Sequence, residues 1–441
     1  MATKTVIEKK KVERITNEIT KELTETGSID ITKVNITELT AITNEYDIQQ
    51  FDDEEHKTIR SILPTLTSKN GDQAFSIIDM GAIFRRCGVW RAELPNVEPF
   101  YAVKCNSDEL ILKTLASLGV GFDVASKGEI SMVTELGIKR DKIIYANPCK
   151  GLDHIQFARS QSIQMMTFDN VDELLKIKLF HPNAQLVLRI LVDDSKSKMP
   201  FGSKFGCPMD DVENVLKFAI YHELNVIGVS FHVGSGCMDA SAYSEAIIRA
   251  KEVFDIAKND NIGYVFHLLD IGGGFPGVDV EGEISFKEIA KIINEQLEIS
   301  FNDIENLRII AEPGRFFATS ALTMVTSVTG KKKITEKDGN IIYHYYVNSS
   351  LYGMFNNQIF DKGNPQFKLL NDYNDNDDKT YKSVIFGETC DSMDKLAIGI
   401  ELPVLAYGDY IYVENHGAYT LASASDFNGF KVPKVYYIFT Y

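Results

Sequence analysis

The 441-residue sequence lacks the features that mark several classes of protein. Met1 to Asn44 has no apolar core of the kind that a secretory signal needs, and no run reaches the roughly 18 apolar residues of a membrane-spanning helix. The six cysteines are scattered without CxxC or CxxH spacing, which argues against a zinc site or a disulfide framework. We therefore expect a cytoplasmic protein without a metal site.

Basic side chains are scarce relative to acidic ones. The chain has 46 lysines and arginines against 62 aspartates and glutamates, for a net charge of −16. Such a balance argues against nucleic acid or an anionic membrane as the partner. It is compatible with a cationic small-molecule substrate.

What the sequence does contain, from residue 100 onwards, is an alternation of short apolar β-type segments with helical patterns. The starts of the first five segments are 21 or 22 residues apart, and the later starts are 40 or 41 residues apart. Eight β/α units in one stretch predict the α/β class and a closed, TIM-like (β/α)8 barrel. A doubly wound open sheet is the alternative, but it usually has fewer strands and a glycine-rich first turn. The eight segments are Phe100–Lys104, Gly121–Ser126, Ile143–Asn147, Met165–Asp169, Leu186–Ile190, Val226–Val233, His267–Gly274 and Arg308–Pro313.

The segments between these strands have helix signals. Ser126 and Glu129 have the spacing of a capping box before an apolar run, and Gly137 stands where a helix would end. Asp108 to Leu118 places its apolar residues at helical intervals. Both segments are therefore predicted to be helices.

After about Thr319 the pattern changes to β-branched and aromatic runs without long helical segments between them. We predict an N-terminal extension over 1–71 that is partly flexible, a strand over 72–79 that joins the β domain, the barrel over 80–318, and a mostly antiparallel β domain over 319–441. The acidic stretch Asn371–Asp378 is predicted to be an exposed loop. The strands of the β domain are predicted at Thr323–Thr329, Ile341–Val347, Tyr381–Phe386 and Tyr410–Glu414.

Polar or small residues stand at the end of every predicted barrel strand, where barrel enzymes build their sites. One such residue could be a satisfied polar group of the core, but packing explains a full set poorly, because each buried charge needs a partner. The residues are Lys104, Asp123, Asn147, Asp169, Arg189, His232, Gly272 with Gly273 and Gly274, and Glu312.

Lys104 is the most informative of these residues. A lysine at a strand end can bury its stem, and desolvation there lowers its pKa and frees the amine to attack a carbonyl. The alternative is a lysine whose ammonium simply reaches solvent from the strand terminus. The other strand-end groups favour the reactive amine.

A phosphate site is the second indication. Gly272, Gly273 and Gly274 can bring backbone N–H groups close to an anion, although a tight turn explains three glycines equally well. With a phosphate held by the glycines and Arg315, and with Glu312 available for a pyridine nitrogen, the set suits pyridoxal 5'-phosphate. The competing hypothesis is a phosphate-sugar isomerase or aldolase, which needs no acidic partner for a ring nitrogen.

These segments resemble the barrel-type, alanine-racemase-like pyridoxal-phosphate decarboxylases, and among them the eukaryotic ornithine decarboxylases. The resemblance covers roughly Asp72 to Tyr441. It is carried by Pro99–Asn106, Gly121–Lys127, Ile144–Lys150, Met165–Asp169, Val187–Ile190, Gly228–Cys237, Leu268–Gly277, Ile310–Arg315, Gly387–Asp391, Gly417–Thr420 and Phe427–Phe430.

The resemblance implies a role for each matching residue. Lys104, Cys390 and His232 are the expected catalytic residues, with Lys104 attaching the cofactor and His232 stacked on its ring. The expected substrate-binding residues are Phe360, Asp361, Asp391 and Phe427. The expected cofactor-binding residues are Lys104, Asp123, Arg189, His232, Ser235, Gly272, Gly273, Gly274, Glu312, Pro313, Gly314, Arg315 and Tyr419.

The resemblance also implies a homodimer in which the Cys390 loop completes the partner's site. Asp394 and Lys204 match an ion pair between subunits. The sequence departs from the family pattern at three places, because Phe360 replaces a tyrosine, Glu388 replaces a proline, and Ser349 and Ser350 replace an Asp-Gly pair. These changes affect the expected substrate affinity rather than the reaction.

The implied reaction is the decarboxylation of L-ornithine to putrescine and carbon dioxide, with an antizyme-like protein as a possible regulator. One alternative is a decarboxylase of another basic amino acid, such as lysine or arginine, since one methylene changes binding by only about 1–3 kcal/mol. Another is a non-catalytic protein of the antizyme-inhibitor kind. Those proteins lack a working cofactor set, whereas this sequence retains Lys104, Glu312 and Arg315.

Overall fold

The computed structural model describes residues 46, 48–51, 58–371 and 379–440. Its strands are β1 (Gln49–Phe51), β2 (Phe75–Asp79), β3 (Glu98–Ala102), β4 (Gly121–Val124), β5 (Ile143–Tyr145), β6 (Met165–Phe168), β7 (Gln185–Arg189), β8 (Ser197–Met199), β9 (Asn225–Ser230), β10 (Ser235–Cys237), β11 (Leu268–Asp270), β12 (Arg308–Ala311), β13 (Leu322–Thr335), β14 (Ile341–Val347), β15 (Lys368–Leu369), β16 (Tyr381–Phe386), β17 (Lys395–Leu402), β18 (Tyr410–Val413) and β19 (Lys434–Thr440). Its α-helices are α1 (Ile59–Asn70), α2 (Met80–Glu93), α3 (Glu109–Ser117), α4 (Lys127–Glu135), α5 (Leu152–Ser160), α6 (Val171–Phe180), α7 (Val212–Tyr221), α8 (Ser241–Lys258), α9 (Phe286–Phe301), α10 (Arg315–Ala318) and α11 (Asn357–Phe360).

The chain forms two compact units. One contains Arg86–Lys104 and Glu109–Phe317, and the other contains the described part of Thr43–Arg85, together with Cys105–Asp108 and Ala318–Tyr441. In the part of the chain that the structure describes, no helix has the length and apolar composition needed to cross a membrane.

The first unit is a closed barrel of eight parallel strands, in the order β11-β12-β3-β4-β5-β6-β7-β9. This architecture confirms the predicted fold class, and each predicted strand segment contains or overlaps one strand. Seven strands contribute one buried apolar side chain each to a common cluster, because alternate residues of a strand face the same side. The cluster consists of Phe100, Ile144, Met165, Val187, Ile227, Leu268 and Ile310.

The helix signals correspond to the helices observed. The Ser126 side chain accepts from the backbone N–H of Glu129 and caps α4. Glu129 does not complete the capping box on Ser126, because its Oε2 accepts from Ala125 N at 2.6 Å. Gly137 follows the end of α4 with φ of +76°, a conformation that glycine adopts at little cost.

The second unit is built on a sheet in the order β1-β19-β2-β13-β14-β16-β17, to which β15 and β18 attach. It is mostly antiparallel, as predicted, although β14 pairs with β16 and β2 pairs with β19 in parallel. The segment 72–79 contributes β2, which lies between β13 and β19. The predicted loop Asn371–Asp378 lies outside the described residues except for Asn371.

Helix α1 and strand β1 were not among the predicted elements. They fall in the segment 1–71, of which residues 1–45, 47 and 52–57 lie outside the described part. Thr58 and Ser61 form a reciprocal cap at the start of α1. Ile62, Leu63 and Leu66 are fully buried against the β domain, and each contributes roughly 1.5–3 kcal/mol. This burial holds α1 on the β domain.

Candidate active site

Lys104 follows the first barrel strand, on the short 3-10 turn Val103–Cys105. Its Nζ donates to Asp123 Oδ2 at the mouth of the barrel. The Asp123 side chain is completely buried, whereas the Lys104 side chain is 41% exposed. The structure therefore does not support the predicted desolvation of the amine. A buried counter-ion holds the ammonium instead.

His232 lies just beyond β9 and is held by its neighbours. Its Nδ1 accepts from the backbone N–H of Gly234 at 3.0 Å, so the proton of a neutral ring is on Nε2. Burial lowers the pKa of His232 well below its usual value, and the charges of Arg189 and Lys104 lower it further. The imidazole is therefore neutral at physiological pH. The ring of Phe201 packs edge-on against it at a centroid distance of 5.0 Å.

The glycine run after β11 forms a turn that only glycine fits. Gly272 and Gly274 have φ of +64° and +110°. A Cβ on Gly272 would lie 2.1 Å from the Phe231 carbonyl oxygen, and one on Gly273 would lie 2.8 Å from His232 Nε2. The backbone of the glycine turn therefore lies directly against the imidazole.

A cation and a hydroxyl stand beside this turn. Arg315 opens α10, and its Nη2 donates to Ser235 Oγ at 2.7 Å. Pro313 and Gly314 contribute backbone hydrogen bonds to this region. The Pro313 carbonyl accepts from Ala102 N at 3.2 Å, and the Gly314 carbonyl accepts from Phe317 N at 3.1 Å. The barrel mouth therefore gathers donors and positive charge suited to a phosphate.

Two buried carboxyls form the floor of this mouth. Glu312 and Asp270 are 8% and 0% exposed. Burial raises the pKa of Glu312 well above its usual value, and repulsion by Asp270 and Asp123 raises it further. Burial likewise raises the pKa of Asp270, although its Oδ1 accepts from Gly272 N at 2.9 Å. The pair therefore retains a proton near neutral pH. Sequence reasoning missed Asp270, although a charged residue closing the apolar strand β11 was the available signal.

The remaining strand-end residues form hydrogen bonds with the loops around the barrel mouth. Asn147 donates to the Ala125 carbonyl at 3.3 Å, and Asp169 Oδ2 accepts from Gly206 N at 2.9 Å. Burial lowers the pKa of Arg189, and attraction by Glu312 and Asp169 opposes this effect.

The barrel mouth fits pyridoxal phosphate on an observation independent of motif matching. Two buried polar atoms at the ends of its strands, Asp123 Oδ1 and Ser230 Oγ, have no hydrogen-bond partner among the described residues. Buried polar atoms in native proteins are almost always paired, so these two atoms indicate a missing polar ligand.

The predicted substrate-binding residues lie in the β domain. Cys390 is exposed, and its N–H donates to Asn428 Oδ1 at 3.1 Å. Asp391 accepts from Met393 N at 2.9 Å and from the Tyr352 hydroxyl, and both bonds lower its pKa. Tyr352 in turn stacks on Phe427 at a centroid distance of 4.2 Å. The structure thus brings Cys390, Asp391 and Phe427 together with Tyr352 and Asn428, neither of which had a predicted role. Nothing in the sequence around Tyr352 indicates that it belongs to the site.

The other predicted residues of this domain lie on two further segments. Phe360 ends α11 and is 63% exposed, and Asp361 caps the same helix through its N–H to the Asn357 carbonyl at 2.9 Å. Tyr419 has φ of +55°, and its N–H donates to the Cys105 carbonyl at 2.8 Å. A positive φ on a tyrosine is uncommon and marks a position with a functional constraint.

Glu388, which replaces the family's proline, gives a prediction about pH. Burial raises its pKa to about 7, with repulsion by Asp394 adding to the shift. A carboxyl whose pKa is higher in the folded state favours folding only while it is protonated. Its contribution to the free energy of unfolding therefore falls as pH rises from about 4.5 to 7. We expect Glu388→Gln to raise Tm above wild type at pH 8, by an amount equivalent to about 1–2 kcal/mol, and to match wild type at pH 4.5. A Tm difference that does not change with pH would contradict this prediction.

Comparisons with known proteins agree with this geometry. Residues 80–319 match the family described as "Pyridoxal-dependent decarboxylase, pyridoxal binding domain". The chain is 43% identical to antizyme inhibitor 2 of Xenopus laevis, over 86% of this chain and 84% of that protein. It is 42% identical to a probable ornithine decarboxylase of Dictyostelium discoideum, over 90% and 86% of the two chains. Among solved structures, the arginine decarboxylase of Paramecium bursaria Chlorella virus is similar with a TM-score of 0.80 and 36% identity, over 86% of this chain and 100% of that one.

Proposed function

Because the chain belongs to the pyridoxal-dependent decarboxylases, as its resemblance predicted, we propose that it removes carbon dioxide from L-ornithine to give putrescine. The observation that carries the proposal is the set gathered at the barrel mouth. A lysine amine held by Asp123, a guanidinium with a hydroxyl, and the buried carboxyl of Glu312 stand at one end of the barrel. These are the groups that the cofactor's aldehyde, phosphate and ring nitrogen require.

When bound, pyridoxal 5'-phosphate supplies the electron sink that stabilises the carbanion left by departing carbon dioxide. The residues of this chain hold it and control protons around it. Arg315 and Ser235 would hold the phosphate beside the glycine turn. The neutral His232 would contact the ring, and Glu312 would accept a hydrogen bond from the protonated ring nitrogen.

Lys104 has two roles in this proposal. Its amine would attach the cofactor, and in the unliganded barrel its ammonium is balanced by the buried carboxylate of Asp123. Cys390 is proposed to return a proton to the carbon that lost carbon dioxide.

Asp391 and Asp361 are proposed to bind the substrate's distal ammonium. The Asp391 carboxylate is ionised, since hydrogen bonds lower its pKa, and the Tyr352 hydroxyl and Met393 N–H orient it. In the single chain it is not deeply buried.

Asp391→Ala provides the test of substrate choice. We expect kcat/KM for ornithine to fall by about tenfold or more, because an oriented carboxylate is lost, while the cofactor's visible absorbance persists. Ornithine, lysine and arginine should be measured side by side on both proteins. Ser392→Ala, at the next residue of the loop, is the matched control. A wild-type preference for lysine or arginine would refute the ornithine assignment.

We also propose a homodimer with shared sites, because Cys390, Phe427 and Phe360 are exposed in the single chain and the family shares its sites between subunits. Inactive Lys104→Ala and inactive Cys390→Ala proteins should complement one another when mixed. Random exchange places half of the subunit pairs in heterodimers with one intact site, so about a quarter of wild-type activity is expected. No recovery, with exchange confirmed by mass spectrometry, would count against shared sites.

The alternative is a non-catalytic binding protein, favoured by the 43% identity to an antizyme inhibitor. It predicts a purified protein that binds an antizyme but neither retains the cofactor nor releases carbon dioxide from ornithine. The enzyme hypothesis predicts a visible cofactor band and carbon dioxide release. Antizyme binding by a catalytically active protein would be regulation in addition to catalysis.

A further inference from the structure

Asn356 is a buried asparagine at the end of a turn, residues 352–356, in the β domain. It is 1% exposed, and its side chain amide forms three hydrogen bonds. Its Nδ2 donates to the Gly353 carbonyl at 2.5 Å and to the Thr420 carbonyl at 2.7 Å. Its Oδ1 accepts from the Ser423 hydroxyl at 2.7 Å. Both donor hydrogens and the acceptor of the amide are therefore used.

Two of these bonds join the turn to a second segment of the same domain, residues 416–428. The backbone of the turn is tied to this segment at two other points. His416 Nε2 donates to a carbonyl of the turn at 2.8 Å, and Ser425 N donates to the Tyr352 carbonyl at 2.9 Å. The Asn356 amide bonds to residues that lie between these two points, so it holds the middle of the segment on the turn.

The proposed substrate-side residues are held by both the turn and the segment. On the turn, the Tyr352 hydroxyl donates to Asp391. On the segment 416–428, Asn428 Oδ1 accepts from Cys390 N at 3.1 Å. The position of the loop that carries Cys390 and Asp391 therefore depends on how the turn and the segment lie against one another.

Tyr419 lies on the same segment, next to the residues that Asn356 contacts. Its φ of +55° is one that a tyrosine rarely adopts, and such a conformation persists only where surrounding contacts impose it. Its carbonyl is 3.3 Å from the Ser423 hydroxyl, which also donates to Asn356. The next residue, Thr420, accepts from the Asn356 amide. Asn356 therefore fixes the backbone that keeps Tyr419 in this conformation.

We infer that Asn356 is a positioning residue that fixes Tyr419 and the Cys390–Asp391 loop relative to one another. The inference deepens the proposed function, on which the cofactor role of Tyr419 and the roles of Cys390 and Asp391 rest. Asn356 acts through these residues, because its amide is buried and all of its groups are engaged within the β domain. One buried side chain therefore supports both cofactor binding and substrate binding.

The physical reason is the loss of buried hydrogen bonds. In Asn356→Ala the Gly353 carbonyl loses a donor, and the fully buried Thr420 loses the shorter of the two hydrogen bonds to its carbonyl. Unpaired polar groups in a site shielded from water are costly, so the segment shifts to let water reach them. This shift weakens cofactor binding at Tyr419 and releases the loop at Cys390.

Amide hydrogen exchange on the holoenzyme, together with cofactor affinity and kinetics, tests the inference. In Asn356→Ala, exchange at Tyr419, Ser425 and Cys390 should accelerate by about tenfold or more, because the hydrogen bonds of these three amides depend on the position of the segment. The Kd of pyridoxal phosphate and KM for ornithine should each rise by about fivefold or more, and kcat should fall.

Two further variants separate the hydrogen bonds from the volume of the side chain. Asn356→Asp keeps the volume and the acceptor for Ser423 but presents an oxygen to two carbonyls, so it should match Asn356→Ala. Ser423→Ala removes one of the three hydrogen bonds and should give a smaller change of the same kind. If Asn356→Ala does not fold, Ser423→Ala decides by the same measurements.

Asn348→Ala is the matched control for general destabilisation of the β domain. Asn348 Oδ1 accepts from Thr326 Oγ1 at 2.7 Å and from Ser327 N at 2.8 Å, both on β13. We expect this variant to lower Tm and to leave the cofactor Kd, KM and exchange at Cys390 unchanged.

Two results would overturn the inference. One is wild-type exchange at Cys390 in Asn356→Ala, and the other is Asn348→Ala reproducing the changes seen in Asn356→Ala. A wild-type protein that binds the cofactor but decarboxylates no basic amino acid would instead refute the proposed function, and the exchange data and cofactor affinity would still judge the inference.

Discussion

Lys104→Ala is expected to abolish turnover and the visible absorbance of bound cofactor together. Lys104 is the cation that the structure places against the buried Asp123 at the barrel mouth, and a methyl group can neither attach the cofactor nor balance that carboxylate. The measurement is a spectrum of the purified protein with added pyridoxal phosphate, followed by carbon dioxide release from ornithine. A variant that keeps the band and near-normal activity would contradict the assignment of Lys104 as the residue that attaches the cofactor.

Lys104→Arg is the control for folding. Arginine preserves a cation opposite Asp123, so we expect a Tm near that of wild type, whereas Lys104→Ala leaves a buried charge unpaired and lowers Tm. The guanidinium stays protonated and cannot attach the cofactor. The arginine variant should therefore be as inactive as the alanine variant while folding better. Activity in Lys104→Arg would place the reactive amine elsewhere.

Glu312→Gln is expected to lower kcat by roughly 10²-fold while leaving cofactor affinity nearly intact. Burial raises the pKa of Glu312 well above its usual value, so the carboxyl is neutral in the unliganded barrel and glutamine reproduces its shape and charge. Only a carboxylate can keep the ring nitrogen protonated, so the defect is confined to catalysis. The measurements are kcat, the Kd of the cofactor and the Tm of the unliganded protein. Wild-type kcat would refute the role of Glu312.

Glu98→Gln is the contrasting control at the opposite end of the same barrel. Burial alone would raise the pKa of Glu98, but Arg308 and Lys142 lower it to about 2. This carboxylate stabilises the folded state at every pH above its unfolded pKa, and its contribution is lost only as pH falls towards 2. Glu98→Gln should therefore lower Tm at neutral pH and leave kcat unchanged, which is the reverse of the result expected for Glu312→Gln.

The barrel was predictable because its signals are local. Each strand is an apolar run of a few residues, each ends in polar or small residues, and Ser126 and Gly137 mark the ends of α4. Helix α1 was missed because Pro64 lies inside it and its burial comes from the β domain rather than from its own pattern. Strand β19 was missed for a related reason, since its pairing with β2 joins segments over 350 residues apart.

The residues of the candidate site also fall into two groups, those that the sequence indicates and those that it does not. The glycines at 272–274 and the cation at 315 follow strands directly, so their order along the chain predicts their gathering at the barrel mouth. Tyr352 gave no comparable signal, and the charge of Asp270 at the end of β11 did not by itself indicate a role. Asp270 acquires its raised pKa from burial at a strand end beside Glu312, and Tyr352 reaches Asp391 only because the chain folds back across 39 residues.

The sequence by itself determined the alternation of strands and helices, the glycines where backbone must approach closely, and the set of groups that a pyridine ring and a phosphate require. These depend on the residue type at one position and its near neighbours. Tertiary structure alone decided that Asp123 holds Lys104 and that Glu312 and Asp270 retain a proton. Burial and the distance between charges decide such properties, and both arise only when segments remote in the chain pack together.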